Sequence, residues 1–109
     1  MATERPSFAS FILTFDRPAV LRRTIDSVLQ QTELPDLLVV VDNGTDPATP
    51  AVVEEMAGGR IEYVSTGDNL GSAGGVAFGM DWLHARGFDW IHSIDDDDPP
   101  RTSDTIERL

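Results

Sequence analysis

Short apolar runs alternate with helical segments along this chain, and the alternation limits the possible fold more than any other feature. Four runs are too short for helices and rich in strand-forming residues; they span residues 8–13, 37–41, 61–64 and 89–94. Segments between them repeat apolar residues at helical spacing. A βαβαβαβ order with short connections predicts a layered α/β domain with a parallel sheet.

Proline, threonine and glycine residues mark the predicted helix ends. We predict a first helix from Pro18 to about Gln31–Thr32, because proline suits the first helical turn. Thr49 is predicted as the N-cap of a second helix that ends at Gly58–Gly59.

The remaining segments are predicted from glycine spacing and hydroxyl residues. Residues 67–75 form a glycine-rich loop, and a third helix then runs from Val76 to Gly87. Thr102 or Ser103 caps a last short helix. The third strand is the weakest of the four and is predicted at an edge of the sheet.

The formal net charge is −11, from 19 acidic residues against 8 basic residues that are all Arg. Such a surface repels phosphate backbones, which argues against DNA or RNA binding, and a phosphate ligand would need a metal or a local Arg. The absence of Cys excludes disulfides and zinc–thiolate sites. The longest apolar run, Leu37–Val41, is far below the ~20 residues of a membrane span. We therefore expect one soluble, cytoplasmic domain.

Polar residues follow three of the four strands where each strand ends. Thr14 and Asp16 follow the first strand, Asp42 the second, and residues 95–98, all Asp, the fourth. Ligands of parallel sheets bind outside the carboxyl ends of the strands. We therefore expect these residues to face one crevice.

The four consecutive aspartates are costly unless something binds them. Two unit charges 4 Å apart repel by ~1 kcal/mol in water and by ~4 kcal/mol at an effective dielectric constant of 20. Mg²⁺ or Mn²⁺ removes this cost, because it binds one or two carboxylates together with phosphate oxygens. The alternative interpretation is a solvated acidic loop.

Three other candidates have structural alternatives. Asp42 can accept hydrogen bonds from a nucleobase or ribose, or it can form the turn before Asn43 and Gly44. Asp16 can instead cap the first helix. The stretch 69–75 lets the backbone pass close to a ligand, but it matches neither a Walker A loop nor a dinucleotide fingerprint.

Four stretches occur in a fixed order and cover nearly the whole chain: Ile12–Pro18, Val39–Asp46, Asn69–Gly75 and Ile94–Asp97. Together they resemble the N-terminal half of inverting family 2 glycosyltransferases, which have the Rossmann-like GT-A fold. The paired glycines resemble most the rhamnosyl- and galactofuranosyl-transferase branch. We predict a parallel sheet in the order 3-2-1-4. Right-handed crossovers then place helices one and two on one face and helix three on the other.

The resemblance implies a nucleotide-diphosphate sugar donor, such as a UDP- or dTDP-sugar, and sugar transfer with inversion to the hydroxyl of a glycan or lipid-linked acceptor. It implies that Thr14 and Asp16 contact the nucleotide, although position 16 is commonly Asn in the family. Asp42 would read the base or ribose, and Asn69 and Gly71 would belong to the nucleotide site.

The same resemblance assigns the acidic run to a D-x-D motif. Asp97 would ligate Mn²⁺ or Mg²⁺, and Asp95 would approach the ribose or the waters of the metal. Asp96 would also lie in the nucleotide site. Asp98 leaves open a shifted register, in which Asp96 and Asp98 are the operative pair.

In the family the catalytic base and the acceptor site follow this motif. We therefore expect residues 1–109 to form one donor-binding domain, truncated before the acceptor half, with its catalytic residues unknown. Apolar surface around Trp82, Phe88 and Trp90 would favour self-association or domain swapping. We expect the full protein in the cytoplasm or at the inner face of the membrane. One alternative is a non-catalytic module of the same fold. A receiver-like domain is a second alternative, but it is disfavoured because its acidic cluster should follow the first strand and because the chain has no Lys.

Overall fold

A computed structural model describes residues 6–56 and 61–108. The strands are β1 (Phe8–Thr14), β2 (Leu37–Asp42), β3 (Ile61–Ser65) and β4 (Trp90–Asp95). The helices are α1 (Pro18–Leu29), α2 (Ala48–Met56) and α3 (Gly71–Ala85). The predicted alternation of strands and helices is confirmed. Among the described residues, no helix has both the length and the apolar character needed to cross a membrane.

The four strands form one parallel sheet in the order β3-β2-β1-β4, as predicted. β3 lies at an edge, and β1 is paired on both sides. The register aligns Thr14 with Asp42 and Leu13 with Asp95. The polar residues that follow β1, β2 and β4 therefore lie at one end of the sheet.

Helices cover both faces of the sheet in the predicted arrangement. Leu21 of α1 and Val52 of α2 pack with Ile12 and Val40 on one face. Leu83 of α3 packs with Phe11 and other strand residues on the opposite face. Because β2 is buried on both faces, it is apolar without alternation.

The glycine-rich stretch differs from its predicted form, because α3 begins at Gly71 and not near Val76. Gly75 and Gly79 lie directly over β1. An added Cβ would be 2.5 Å from Leu13 Cδ1 at Gly75 and 2.7 Å from Phe11 Cε2 at Gly79. The prediction of a loop over 71–75 is wrong because glycine here allows a helix to approach the sheet closely.

The predicted cap of the second helix is also wrong. α2 begins at Ala48, whose N–H donates to Asp46 Oδ1 at 2.9 Å. Thr49 is buried inside the helix, and its hydroxyl has no hydrogen-bond partner among the described residues. The predicted helix end at Gly58–Gly59 lies outside the described residues.

Residues 101–108 form bends and turns in place of the predicted last helix. The Thr102 hydroxyl donates to Asp104 Oδ1 at 2.7 Å and lies 3.1 Å from the Thr105 hydroxyl. Such local bonds compete with helical ones. Ile106 still packs against the core beside α1, and its N–H donates to Gln31 Oε1 at 2.9 Å.

Candidate functional site

A cavity of about 340 Å³ opens at the carboxyl ends of β1 and β4, beside the start of α3. Most residues singled out from the sequence line it: Thr14, Asn69, Gly71, Asp95, Asp96 and Asp97. Phe15 lies in the lining with about half of its surface exposed. The cavity brings the polar ends of two strands and a helix N-terminus into one place.

Burial divides the acidic run into unlike carboxylates. Asp96 is 1% exposed, and its Oδ2 accepts hydrogen bonds from Thr14 Oγ1 at 2.8 Å and Arg17 Nε at 3.2 Å. Asp95 and Asp97 on either side are exposed at the cavity. The carboxylates that a ligand in this cavity can reach are therefore those of Asp95 and Asp97.

Asp98 lies outside this lining and belongs to a second cavity of about 350 Å³, which it lines together with His92, Arg101 and the shared residue Asp95. Its carboxylate is 3.9 Å from Arg101. Burial lowers the pKa of His92. The geometry favours the pair Asp95 and Asp97 over the shifted register, and the roles assigned to the pair stay predictions.

The donor set fits a metal ion that is shared with a ligand. No group of three or more His, Asp or Glu side chains able to hold a metal occurs within residues 6–56 and 61–108. Mg²⁺ and Mn²⁺ bind through one or two carboxylates and complete their coordination with phosphate oxygens and water. Exposed Asp95 and Asp97 match this requirement.

Asp42 is turned away from the cavity. It is 1% exposed, and its Oδ2 accepts a hydrogen bond from the Tyr63 hydroxyl at 2.7 Å while its Oδ1 accepts from the Gly44 N–H at 2.8 Å. Burial, and then the bond to Asp42, raise the pKa of Tyr63 to about 12. These contacts match the turn-forming alternative, and the predicted contact with a base or ribose stays a prediction.

Asn43 lines the cavity where Asp42 does not, and it was missed in the sequence. Its Nδ2 donates to the Gly71 carbonyl at 2.9 Å, and its Oδ1 accepts from the Thr66 hydroxyl at 2.9 Å. The alternation of side chains along β2 is the sequence pattern that could have identified Asn43. Val39 and Val41 face α3, so residue 43 continues toward the same face.

Asp16 joins two loops and lies outside the cavity lining. Its φ is +51°, and its Oδ1 accepts hydrogen bonds from the Thr45 and Asp46 N–H groups, both at 2.8 Å. A Cβ at Gly44 would be 2.1 Å from this oxygen. Within the described residues no side chain caps the start of α1, so the capping alternative is wrong. The nucleotide contact stays a prediction.

Arg17 is another cavity residue that the sequence did not single out. Its guanidinium contacts both Asp96 and Asp97. The net negative charge of the sequence indicated that an acidic crevice would need a local Arg to bind a phosphate ligand, but not which Arg. Which Arg supplies this charge depends on how the loop after β1 folds.

Comparison with known proteins gives matches over nearly the whole chain. A family model described as glycosyl transferase family 2 matches residues 11–109. Galactofuranosyltransferase GlfT1 of Mycobacterium tuberculosis (strain ATCC 25618 / H37Rv) is 39% identical over 94 residues, which cover 84% of this chain and 30% of that protein. GlfT1 of Mycolicibacterium smegmatis is 38% identical over 101 residues, which cover 90% of this chain and 32% of that protein.

Among solved structures, the mannosyltransferase PcManGT from Pyrobaculum calidifontis, in complex with GDP-Man and Mn²⁺, matches with a TM-score of 0.75. The match covers 95% of this chain and 31% of that chain at 21% identity. At this identity the likeness establishes the fold. The chain spans about a third of the length of the relatives that it matches.

Proposed function

This chain belongs to glycosyl transferase family 2, and we propose that its cavity binds the nucleotide diphosphate of a sugar donor together with Mn²⁺ or Mg²⁺. The observation that carries the proposal is the position of Asp95 and Asp97, exposed on one side of the cavity while Gly71 begins α3 at the same cavity. The cavity thus combines two exposed carboxylates, one of them in a long contact with Arg17, with a helix N-terminus.

A diphosphate with a divalent cation suits the charges of these groups. The N–H groups at the start of α3 favour negative charge. The carboxylates repel a bare diphosphate, and a divalent cation held at these carboxylates would neutralise the departing diphosphate. Asp95 and Asp97 would hold the cation, and the start of α3 would orient the phosphates.

The nucleoside would lie along the β1 and β2 side of the cavity. Phe15 offers a half-exposed aromatic surface there, and Asn43 and Asn69 supply polar groups. The resemblance predicted a UDP- or dTDP-sugar, and the comparison structure, which holds GDP-Man, extends the choice to a guanine nucleotide. A panel of UDP, dTDP and GDP therefore covers the donors to be tested.

For the complete enzyme we propose inverting transfer of the sugar to an acceptor hydroxyl. The region described here would supply donor binding as a single domain, and we assign no catalytic base among its residues. A cytoplasmic location, expected from composition, stays a prediction.

Thermal unfolding with Mn²⁺, with each nucleotide and with both together tests the proposal. Each partner supplies what the other lacks, so the shift with both should exceed the sum of the separate shifts. A ligand at 100 times its dissociation constant adds ~2.7 kcal/mol to the free energy of unfolding. For a domain of this size, each kcal/mol raises the melting temperature by roughly 4–8 °C.

Asp97→Asn should remove the coupled shift and leave the ligand-free fold intact. Asp98→Asn is the matched control, because it removes the same charge outside the cavity lining. If Asp98→Asn removes the coupled shift and Asp97→Asn does not, the register is shifted by one. If no aspartate from 95 to 98 affects binding, the acidic run is a solvated loop and the proposed function is wrong.

A further inference from the structure

Arg17 brings a positive charge to the acidic end of β4. Its guanidinium reaches Asp96 through Nε at 3.2 Å and through a second contact from Nη2, and Nη1 lies 3.4 Å from Asp97 Oδ2. The three contacts come from one planar group whose side chain is about half exposed. A single cation therefore links the buried and the exposed carboxylate.

The loop after β1 places Arg17 in this position. Asp16 adopts a left-handed φ of +51° and is held by the N–H groups of Thr45 and Asp46. Pro18 begins α1 directly afterwards. Arg17 thus lies between the hydrogen-bonded Asp16 and the start of α1 at Pro18, and its side chain lines the cavity.

The contacts to the two aspartates differ in kind. The Asp96 side chain is 1% exposed, is met by two guanidinium nitrogens and also accepts from Thr14 Oγ1. The Asp97 side chain is 58% exposed and has one long contact to Arg17. Exposed ion pairs of this second kind contribute little and are easily replaced.

We propose that Arg17 is a positioning residue and built-in counter-cation of the acidic strand end, an inference that rests on the proposed metal-dependent function. It neutralises Asp96 permanently and thereby keeps that carboxylate away from the metal. It pairs with Asp97 only as long as no divalent cation binds this exposed carboxylate. Arg17 thus competes with the cation at one aspartate while it fixes the neighbouring one.

Mn²⁺ titration of the ligand-free chain, followed by electron paramagnetic resonance, tests the competition. Arg17→Gln should bind Mn²⁺ about three- to tenfold more tightly than the parent, because the positive charge beside the Asp97 carboxylate is lost. Arg17→Lys keeps the charge and should bind like the parent. Arg86→Gln is the matched control, because Arg86 pairs with Glu62 beyond the far end of α3.

The direction of the change separates this role from a structural one, since damage to the loop would weaken Mn²⁺ binding. Unchanged or weaker binding in Arg17→Gln overturns the competition with the metal. An equal gain in Arg86→Gln also overturns it, because the effect would then come from net charge alone. If the parent binds no Mn²⁺ with or without UDP, dTDP or GDP, the proposed function itself fails.

The permanent contact with Asp96 has a separate, metal-free readout. In nuclear magnetic resonance spectra, the Nε–H group of Arg17 should be protected from solvent exchange, and the signal is assigned by its loss in Arg17→Lys. Protection should persist in Asp97→Asn and with added Mg²⁺, and it should disappear in Asp96→Ala, which removes both acceptor oxygens. Loss of protection in Asp97→Asn, or release by Mg²⁺, overturns the proposed division between the two carboxylates.

Discussion

At the scale of single residues, burial decides what each carboxylate of the site can do. Asp96 and Asp42 are both 1% exposed and satisfied by protein donors, whereas Asp95 and Asp97 are exposed at the cavity. A buried carboxylate that loses its donors is costly, while an exposed one is solvated. Neighbouring aspartates of the same run therefore belong to different classes, one structural and one available to a ligand.

Asp96→Asn should lower the free energy of unfolding of the ligand-free chain by about 1–3 kcal/mol, because Arg17 and Thr14 lose a buried charged acceptor. Asp98→Asn removes an exposed carboxylate 3.9 Å from Arg101 and should change stability little. Urea unfolding of both variants gives the comparison. Equal stability of the two variants would contradict the structural role of Asp96.

Tyr63 is the sole tyrosine of the chain, so its titration can be followed directly by ultraviolet absorbance. Burial and the bond to Asp42 raise its pKa from 10.0 to about 12. The resulting stabilisation is fully present below pH 10 and is lost as the pH rises toward 12, because the unfolded chain loses the phenol proton first. Tyr63→Phe should abolish this part of the pH dependence. A folded-state titration near pH 10 would contradict the prediction.

At the scale of elements, the start of α3 is shaped by its approach to β1. Glycine is unfavourable in helices, yet Gly75 and Gly79 occupy the positions that face Leu13 and Phe11. Their missing side chains let the backbone of α3 approach the sheet. The same approach brings Gly71 to the cavity, where its carbonyl binds Asn43.

Gly79→Ala should lower the free energy of unfolding by a net ~1–2 kcal/mol. An added Cβ would lie 2.7, 2.8 and 2.9 Å from three ring atoms of buried Phe11, and overpacking of this kind costs about 1–3 kcal/mol. Alanine recovers at most about 1 kcal/mol of helix propensity. Ala77→Gly, at an exposed position of α3, measures that propensity term separately. A more stable Gly79→Ala variant would contradict the close packing.

At the scale of the whole molecule, one edge of the sheet carries an exposed aromatic residue. Trp90 begins the edge strand β4 and is 63% exposed. Trp82 and Phe88, expected to be exposed with it, are half-buried against the core beneath α3, and Arg86 lies 4.2 Å over the Trp82 ring. Of the three residues expected to carry the apolar surface, only Trp90 is largely exposed.

The described residues should self-associate through the β4 edge, since an unpaired strand edge with an exposed aromatic residue favours pairing between copies. Sedimentation at rising concentration measures the association. Trp90→Lys should weaken it about tenfold, because aromatic anchors carry much of the energy of an interface. Ala77→Lys makes the same charge change on α3 and should have little effect. A clean monomer at high concentration would contradict the prediction.

The sequence alone determined the order of elements, the parallel sheet, the two covered faces and the clustering of polar strand ends, because periodicity and burial pattern are local properties of the chain. Only the tertiary structure decided which polar groups face the cavity. Thr14 and Asp96 are 82 residues apart in sequence and 2.8 Å apart at their oxygens. Contacts of this kind depend on the register of β1 against β4 and on the loop that carries Arg17. Adjacent, chemically identical aspartates acquire different environments there, and no local pattern distinguishes them.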